Sequence, residues 1–191
     1  MKLDFLTLCT FYFIFCLMGW IWESIYESIL NKKVINRGFL YGPYIPIYGV
    51  GGLLILVLFQ RFQAPFLSTR TIIIYLIGAV GATILEYSVS VFLEKRLNAK
   101  WWDYSNYPFN YQGRICLIAT LFWGAVAVGA IDFLNPWLYS KIMLIPYNYR
   151  AIYVTVMTIL IFSDTGYTIR SIRNNDSEAN RNMIIVKEEE L

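Results

Sequence analysis

Residues 101–124 read WWDYSNYPFNYQGRICLIATLFWG, and the boundary inside this stretch decides the fold class. An aromatic, polar loop passes at Arg114 into an apolar run that continues to about residue 138. Trp and Tyr favour the membrane–water interface, where a ring is buried while its N–H or O–H stays wet. Asp103, Asn106, Asn110, Gln112 and Arg114 crowd the same loop, which is more polar recognition than a connector requires. The pattern is that of a surface loop feeding a transmembrane helix.

The rest of the chain agrees. Of 191 residues, 58% are hydrophobic and only 15% charged, with a mean hydropathy of +0.51. A soluble domain carries about 25% charged residues. A membrane-spanning helix needs about 20 predominantly apolar residues, and five candidate segments meet or approach that length, at about 5–30, 44–61, 71–93, 114–138 and 151–169. The fold expected is an all-α integral membrane protein, a polytopic bundle of about five transmembrane helices over residues 1–173. A polar tail from 174 to 191 reads as mobile and cytoplasmic. The first segment lacks a small-residue cleavage site and continues through aromatics, so it reads as a retained helix.

Between the first two segments, residues 31–52 read NKKVINRGFLYGPYIPIYGVGG. Gly and Pro at this density disfavour a continuous helix. Irregular backbone at membrane depth survives only where it is buried in protein or lines a wet cavity. A broken or re-entrant segment tucked between helices is therefore expected after the first helix. In the third segment, Gly78, Ala82 and Glu86 recur every four residues, a spacing that brings helices close and turns Glu86 toward them. Arg61, Pro65 and Arg70 mark the connection before it.

The basic residues set an orientation. Eleven of the 16 Lys and Arg fall on the side of the 31–52 connection, the 94–114 loop and the tail, and five on the other. Positive residues favour the cytoplasm, which places the amino terminus outside and the carboxyl terminus inside. The net charge of +3 is small and not gathered into one patch, which argues against nucleic-acid binding. There are no histidines, and the odd set Cys9, Cys16 and Cys116 lies in apolar surroundings, so neither a metal site nor a cofactor is expected. No nucleophile–base pair stands out as catalytic.

Glu23, Glu86, Asp132 and Asp164 fall inside apolar segments, and Arg114 begins one. A charge at a helix centre costs roughly 2.5–3.5 kcal/mol on insertion scales, so such residues face the bundle interior and pair. Glu27, four residues after Glu23, is close to the segment end and within reach of headgroups. One reading brings Glu23, Glu86 and Arg114 together with Arg37, Asp103 and Asn110 in a polar cavity open to the cytoplasm. The other makes Arg114 and one glutamate a buried pair that fixes helix register. Asp132 and Asp164 are additional intramembrane charges. Trp101, Trp102, Tyr104, Tyr107 and Tyr111 form either an interface belt or a ligand lid.

GWIWE (19–23), RGFLYGPYIPIYGVG (37–51), LEYSVSVFLEKRLNAKWWDYS (85–105) and NYQGRICL (110–117), followed by FWG (122–124), resemble the bacterial membrane-protein family described as Putative ABC-transporter type IV, the CmpB-type permeases. The resemblance implies a permease-like transport subunit of the cell membrane. No Gly-rich phosphate loop ending in Lys-Ser or Lys-Thr is present, so any ATP would be hydrolysed by a separate ATPase subunit. Five helices make a small permease, so a homodimer or larger complex in the lipid bilayer is expected. Two other classes fit the residues: a membrane enzyme acting on a lipid or lipid-linked substrate, with Glu23, Glu86 and Asp103 as acid or base, and an accessory scaffold that needs neither catalysis nor a pore.

Overall fold

The first helix, α1 (Phe5–Asn31), begins where Asp4 accepts the Thr7 N–H at 2.8 Å and ends where Lys32 turns left-handed at φ 52°. Its 27 residues span ~40 Å at 1.5 Å per residue, more than the ~30 Å hydrocarbon core. The computed structural model describes residues 1, 3–60, 68–97, 99–174 and 184–185. The connection through Arg61 and Pro65 lies outside the described residues, as does the tail from 175 except for positions 184–185.

α2 (Pro46–Phe59) has only 14 residues, ~21 Å, and cannot cross a bilayer alone. The non-helical connector 32–45 supplies the missing length. It runs back into the bundle, where the Ile45 N–H reaches the Cys16 carbonyl at 3.0 Å, a point near the middle of α1. The Gly/Pro-rich segment is thus broken as expected, and the break lies at membrane depth. α2 then descends along α1. At Gly49 an added Cβ would come within 2.5 Å of Cys16 Sγ, so the two backbones approach more closely than any side chain there allows.

α3 (Thr69–Leu97) returns, and the chain enters a loop with three two-residue strands, β1 (Ala99–Lys100), β2 (Asn110–Tyr111) and β3 (Ile115–Cys116). β2 pairs antiparallel with β3, and β1 with β4 (Ile184–Ile185). α4 (Leu117–Gly129), a π-helical turn (Ala130–Leu134) and α5 (Asn135–Met143) form one continuous apolar rod. The π turn has a cause. Pro136 has no N–H and its ring would strike a carbonyl one turn back, so the helix widens and the Asn135 N–H bonds to Ala130 five residues earlier. α6 (Tyr147–Arg173) packs along α1.

Four helical segments are long and apolar enough to span: Phe5–Asn31, Thr69–Leu97, Leu117–Met143 and Tyr147–Arg173, with α2 as a shorter fifth. Ends of helices meet in a consistent order. Arg150 donates to Thr7 Oγ1 at 3.1 Å at one end of the bundle, and Tyr41 Oη contacts Ser171 Oγ at 3.1 Å at the other. The residues at the chain's start and those at the end of α6 therefore lie at opposite ends.

Packing is apolar on both sides of the helices, as lipid requires. Phe11 and Phe15 of α1 meet Leu56 of α2 and Leu138 and Ile142 of α5. Leu40 and Tyr44 of the connector sit between Phe13 and Cys16 of α1 and Ile161 of α6. Outward, Ile72, Leu76, Val80 and Ile84 of α3 and Ile152, Ile159 and Phe162 of α6 are exposed, a lipid-facing surface. α3 crosses α4 closely: a Cβ on Gly78 would stand 2.3 Å from the Ala127 Cβ, while one on Gly81 would meet nothing within 4 Å. Overpacking costs about 1–3 kcal/mol. Gly78→Val should therefore lower the thermal midpoint in detergent by several degrees, and Gly81→Val should leave it unchanged; equal midpoints for both variants would contradict this crossing.

Candidate functional site

The connector brings Arg37 back over the carboxyl-terminal half of α1. Its backbone N–H is fixed by Ser24 Oγ at 3.1 Å. Its guanidinium lies between Glu23 (Nε to Oε2, 3.4 Å) and Glu27 (3.8 Å) and donates to the Trp101 carbonyl of the 99–116 loop. Glu27, read from the sequence as reaching headgroups, is thus turned onto Arg37, with a side chain only 27% exposed. On the other side of Glu23, the Tyr48 hydroxyl donates to Oε1 at 2.9 Å. The Tyr48 ring meets Trp123 edge-on at 5.5 Å.

Trp123 leads to Glu86. Its indole N–H donates to Glu86 Oε1 at 2.9 Å, and the Tyr104 hydroxyl approaches the same oxygen at 3.4 Å. Glu86 is buried, 8% exposed, and among the described residues its second oxygen, Oε2, has no hydrogen-bond partner. Among the described residues no cation forms an ion pair with it, and the Glu23 carboxylate is near enough to act on it electrostatically. Burial, and after it the Glu86 charge, raises the Tyr104 phenol above its ordinary range, so Tyr104 stays a hydroxyl donor. Three carboxylates, one arginine and three aromatic donors therefore form one network through α1, α2, α3, α4 and both loops.

The other predicted residues fall outside that network. Arg114 does not join Glu86; it pairs with Glu94, Nε to Oε2 at 2.8 Å, and contacts Gln112. The reason is height. Glu94 lies eight residues after Glu86, ~12 Å further along α3, level with the loop from which Arg114 projects. Lys100 reaches the same glutamate at 3.5 Å. The pair that fixes the α3–α4 hairpin is thus Arg114–Glu94. Asp103 turns on Ser105, whose N–H it accepts at 2.8 Å, and Asn110 Nδ2 donates to the Ser105 and Tyr107 carbonyls at 3.2 and 2.9 Å. Both shape the loop from within.

Asp132 and Asp164 have partners that the sequence did not indicate. Asp132, in the π turn, forms a buried pair with Arg70 of the first turn of α3. Asp164 accepts two successive backbone N–H groups of the connector, from Tyr41 at 3.2 Å and Gly42 at 2.8 Å, and the Thr168 hydroxyl at 3.1 Å. It acts as an anchor for irregular backbone. Of the aromatic loop, Trp101 is buried between Leu93 and Ile172, whereas Tyr107 and Tyr111 are exposed, so the rings divide between core and surface.

Tyr48, Trp123 and Glu94 are the residues that reading the sequence for charges passed over. The hairpin register could have found Trp123, because Gly78 meets Ala127 and Thr83 Oγ1 meets Thr120 Oγ1 at 2.7 Å, which sets Glu86 beside the start of α4. Among the described residues no group of three His, Cys, Asp or Glu is placed to hold a metal ion.

Spanning apolar helices around a charged interior network define a polytopic helical membrane protein. Within that class, the chain belongs to the family described as Putative ABC-transporter type IV, which it matches over residues 10–169, from the first third of α1 through most of α6. No curated protein and no solved structure matches it.

Two outcomes follow from the anchors. Removing an acceptor from placed backbone N–H groups costs ~1–3 kcal/mol, so Asp164→Ala should lower the thermal midpoint clearly and Asp164→Asn, which keeps one acceptor, by less. An unchanged midpoint in Asp164→Ala would deny the anchor. The Ser105 hydroxyl, opposed by partial burial and aided by the Ser105 N–H and Lys100, holds the Asp103 carboxyl below its ordinary 3.8. A depressed acid stabilises the loop above its unfolded value and loses that effect as pH falls through the folded one. Loop proteolysis should accelerate only below the ordinary carboxylate range, and Asp103→Asn should remove that acid step.

Proposed function

We propose that the chain is a permease-like transport subunit that works with a separate ATPase, with Glu86 as its intramembrane binding group. The observation that carries this reading is the Glu86 carboxyl itself: buried, held on one oxygen by Trp123 and Tyr104, and with the other oxygen unpartnered. Ionisable groups kept inside a membrane mark ion or substrate paths, and Glu86, unlike Asp132 with its Arg70, is not in an ion pair among the described residues. Glu23, held on one oxygen by Arg37 and on the other by Tyr48, is the neighbouring carboxylate through which a charge on Glu86 is felt. Membership of an ABC-transporter-type family supports the transport class. The sequence carries no Gly-rich phosphate-binding loop ending in Lys-Ser or Lys-Thr, which is why the proposal puts ATP hydrolysis on a separate subunit.

The connector and the 99–116 loop share one end of the bundle, and the excess of Lys and Arg supports a cytoplasmic position for that end. An ATPase would dock there. With only five helices, the working unit is a homodimer or a larger complex.

Tagged protein purified from its native membrane in mild detergent should bring down an ATPase in stoichiometric amount. In vesicles containing both, Glu86→Gln should abolish ATP-driven uptake while the protein accumulates normally. A lone chain with no ATPase, or uptake unaffected in Glu86→Gln, would contradict the proposal.

A further inference from the structure

A groove of about 680 Å³ runs along the outer face of α1, between its carboxyl-terminal half and residues 32–36. Its wall is apolar: Ile21, Ile25 and Ile29, one helical turn apart, are each more than 40% exposed, and Val34 opposite them is fully exposed. The polar groups of its floor are already satisfied. Ser24 Oγ and Ser28 Oγ accept the N–H groups of Arg37 and Ile35, and the Trp20 indole N–H donates to Asn36 at 2.6 Å. At the rim stand Lys32 and Lys33, both exposed and without an ion-pair partner among the described residues.

Dimensions and charge point the same way. Trp20 and Lys32 lie ~18 Å apart along the helix, close to the ~15 Å of hydrocarbon in one leaflet. An occupant would need an unbranched apolar body of that length and a negative group at the end of the helix. Water gains nothing from a floor whose hydrogen bonds are closed, and a free small anion would leave the isoleucine wall uncovered. We infer that this groove is a specific site for an anionic phospholipid, with one acyl chain along Ile21, Ile25 and Val34 and the headgroup phosphate between the Lys32 and Lys33 ammonium groups. Cationic pockets at the membrane surface take such headgroups. The site does not depend on the Glu86 network and stands whether or not the chain transports.

The test is native mass spectrometry of the detergent-purified protein with equimolar phosphatidylglycerol and phosphatidylcholine of identical acyl chains. Wild type should retain phosphatidylglycerol about tenfold over phosphatidylcholine, an effect of two lysines at the headgroup plane. A Lys32→Gln, Lys33→Gln double variant with unchanged thermal midpoint should retain the two lipids equally. Ile25→Trp, which fills the groove and leaves both lysines, should lose the bound lipid as well. Equal retention by wild type, a preference that survives in the double variant, or displacement of the lipid by excess inorganic phosphate would each overturn the assignment, the last in favour of a phosphate site.

Discussion

Lipid offers no hydrogen bonds, so every backbone group at membrane depth must find a partner within the protein. In this chain one segment tests that rule. The connector 32–45 enters the bundle without helical structure, and five of its N–H groups are met by the helices beside it: Ile35 by Ser28, Arg37 by Ser24, Tyr41 and Gly42 by Asp164, and Ile45 by the Cys16 carbonyl. Asp164 is the distinctive partner, because it holds two successive N–H groups on one carboxylate, and charged acceptors make the stronger bonds. An intramembrane charge is usually costly; here the cost is offset by the backbone dipoles that it orders.

That constraint has consequences for the rest of the bundle. With the connector seated between α1 and α6, α2 can begin halfway along α1 and still complete a crossing with 14 residues. Its first turn then presents Tyr48 to Glu23, and the returning chain carries Arg37 back over Glu23 and Glu27. The Glu86 side of the network arises separately, from the α3–α4 hairpin, and joins through the Tyr48–Trp123 contact. Two independent pieces of folding thus converge on one pair of carboxylates. Neither piece alone would bring an arginine and a tyrosine to Glu23 and leave Glu86 Oε2 open.

How much of this is legible in the sequence depends on the range of the contact. Five apolar segments and a broken second one follow from local composition, since Gly and Pro density needs no partner to be read. The burial of Glu86 follows from its spacing with Gly78. The partner of Asp164 is not legible, because it is a backbone group 122 residues away and carries no side-chain signature. Arg114 shows a different limit. Glu86 and Glu94 both precede it on the same helix, and only the depth at which the loop leaves α3 decides between them. Arg70 and Asp132 were both visible, yet their pairing follows from the π turn, which Pro136 causes and which rotates Asp132 inward.

The most direct measurement is the thiol accessibility of the connector in native membranes. Single cysteines at Lys33 and Leu40, in a chain whose own cysteines are replaced, would be exposed to a membrane-impermeant maleimide from the side of the 99–116 loop. Lys33 is exposed and Leu40 is 3% exposed, so position 33 should be labelled within minutes and position 40 should resist until the protein is denatured. Equal labelling of the two would mean that the connector lies over the membrane surface, and the anchor at Asp164 and the network at Glu23 would fall with it.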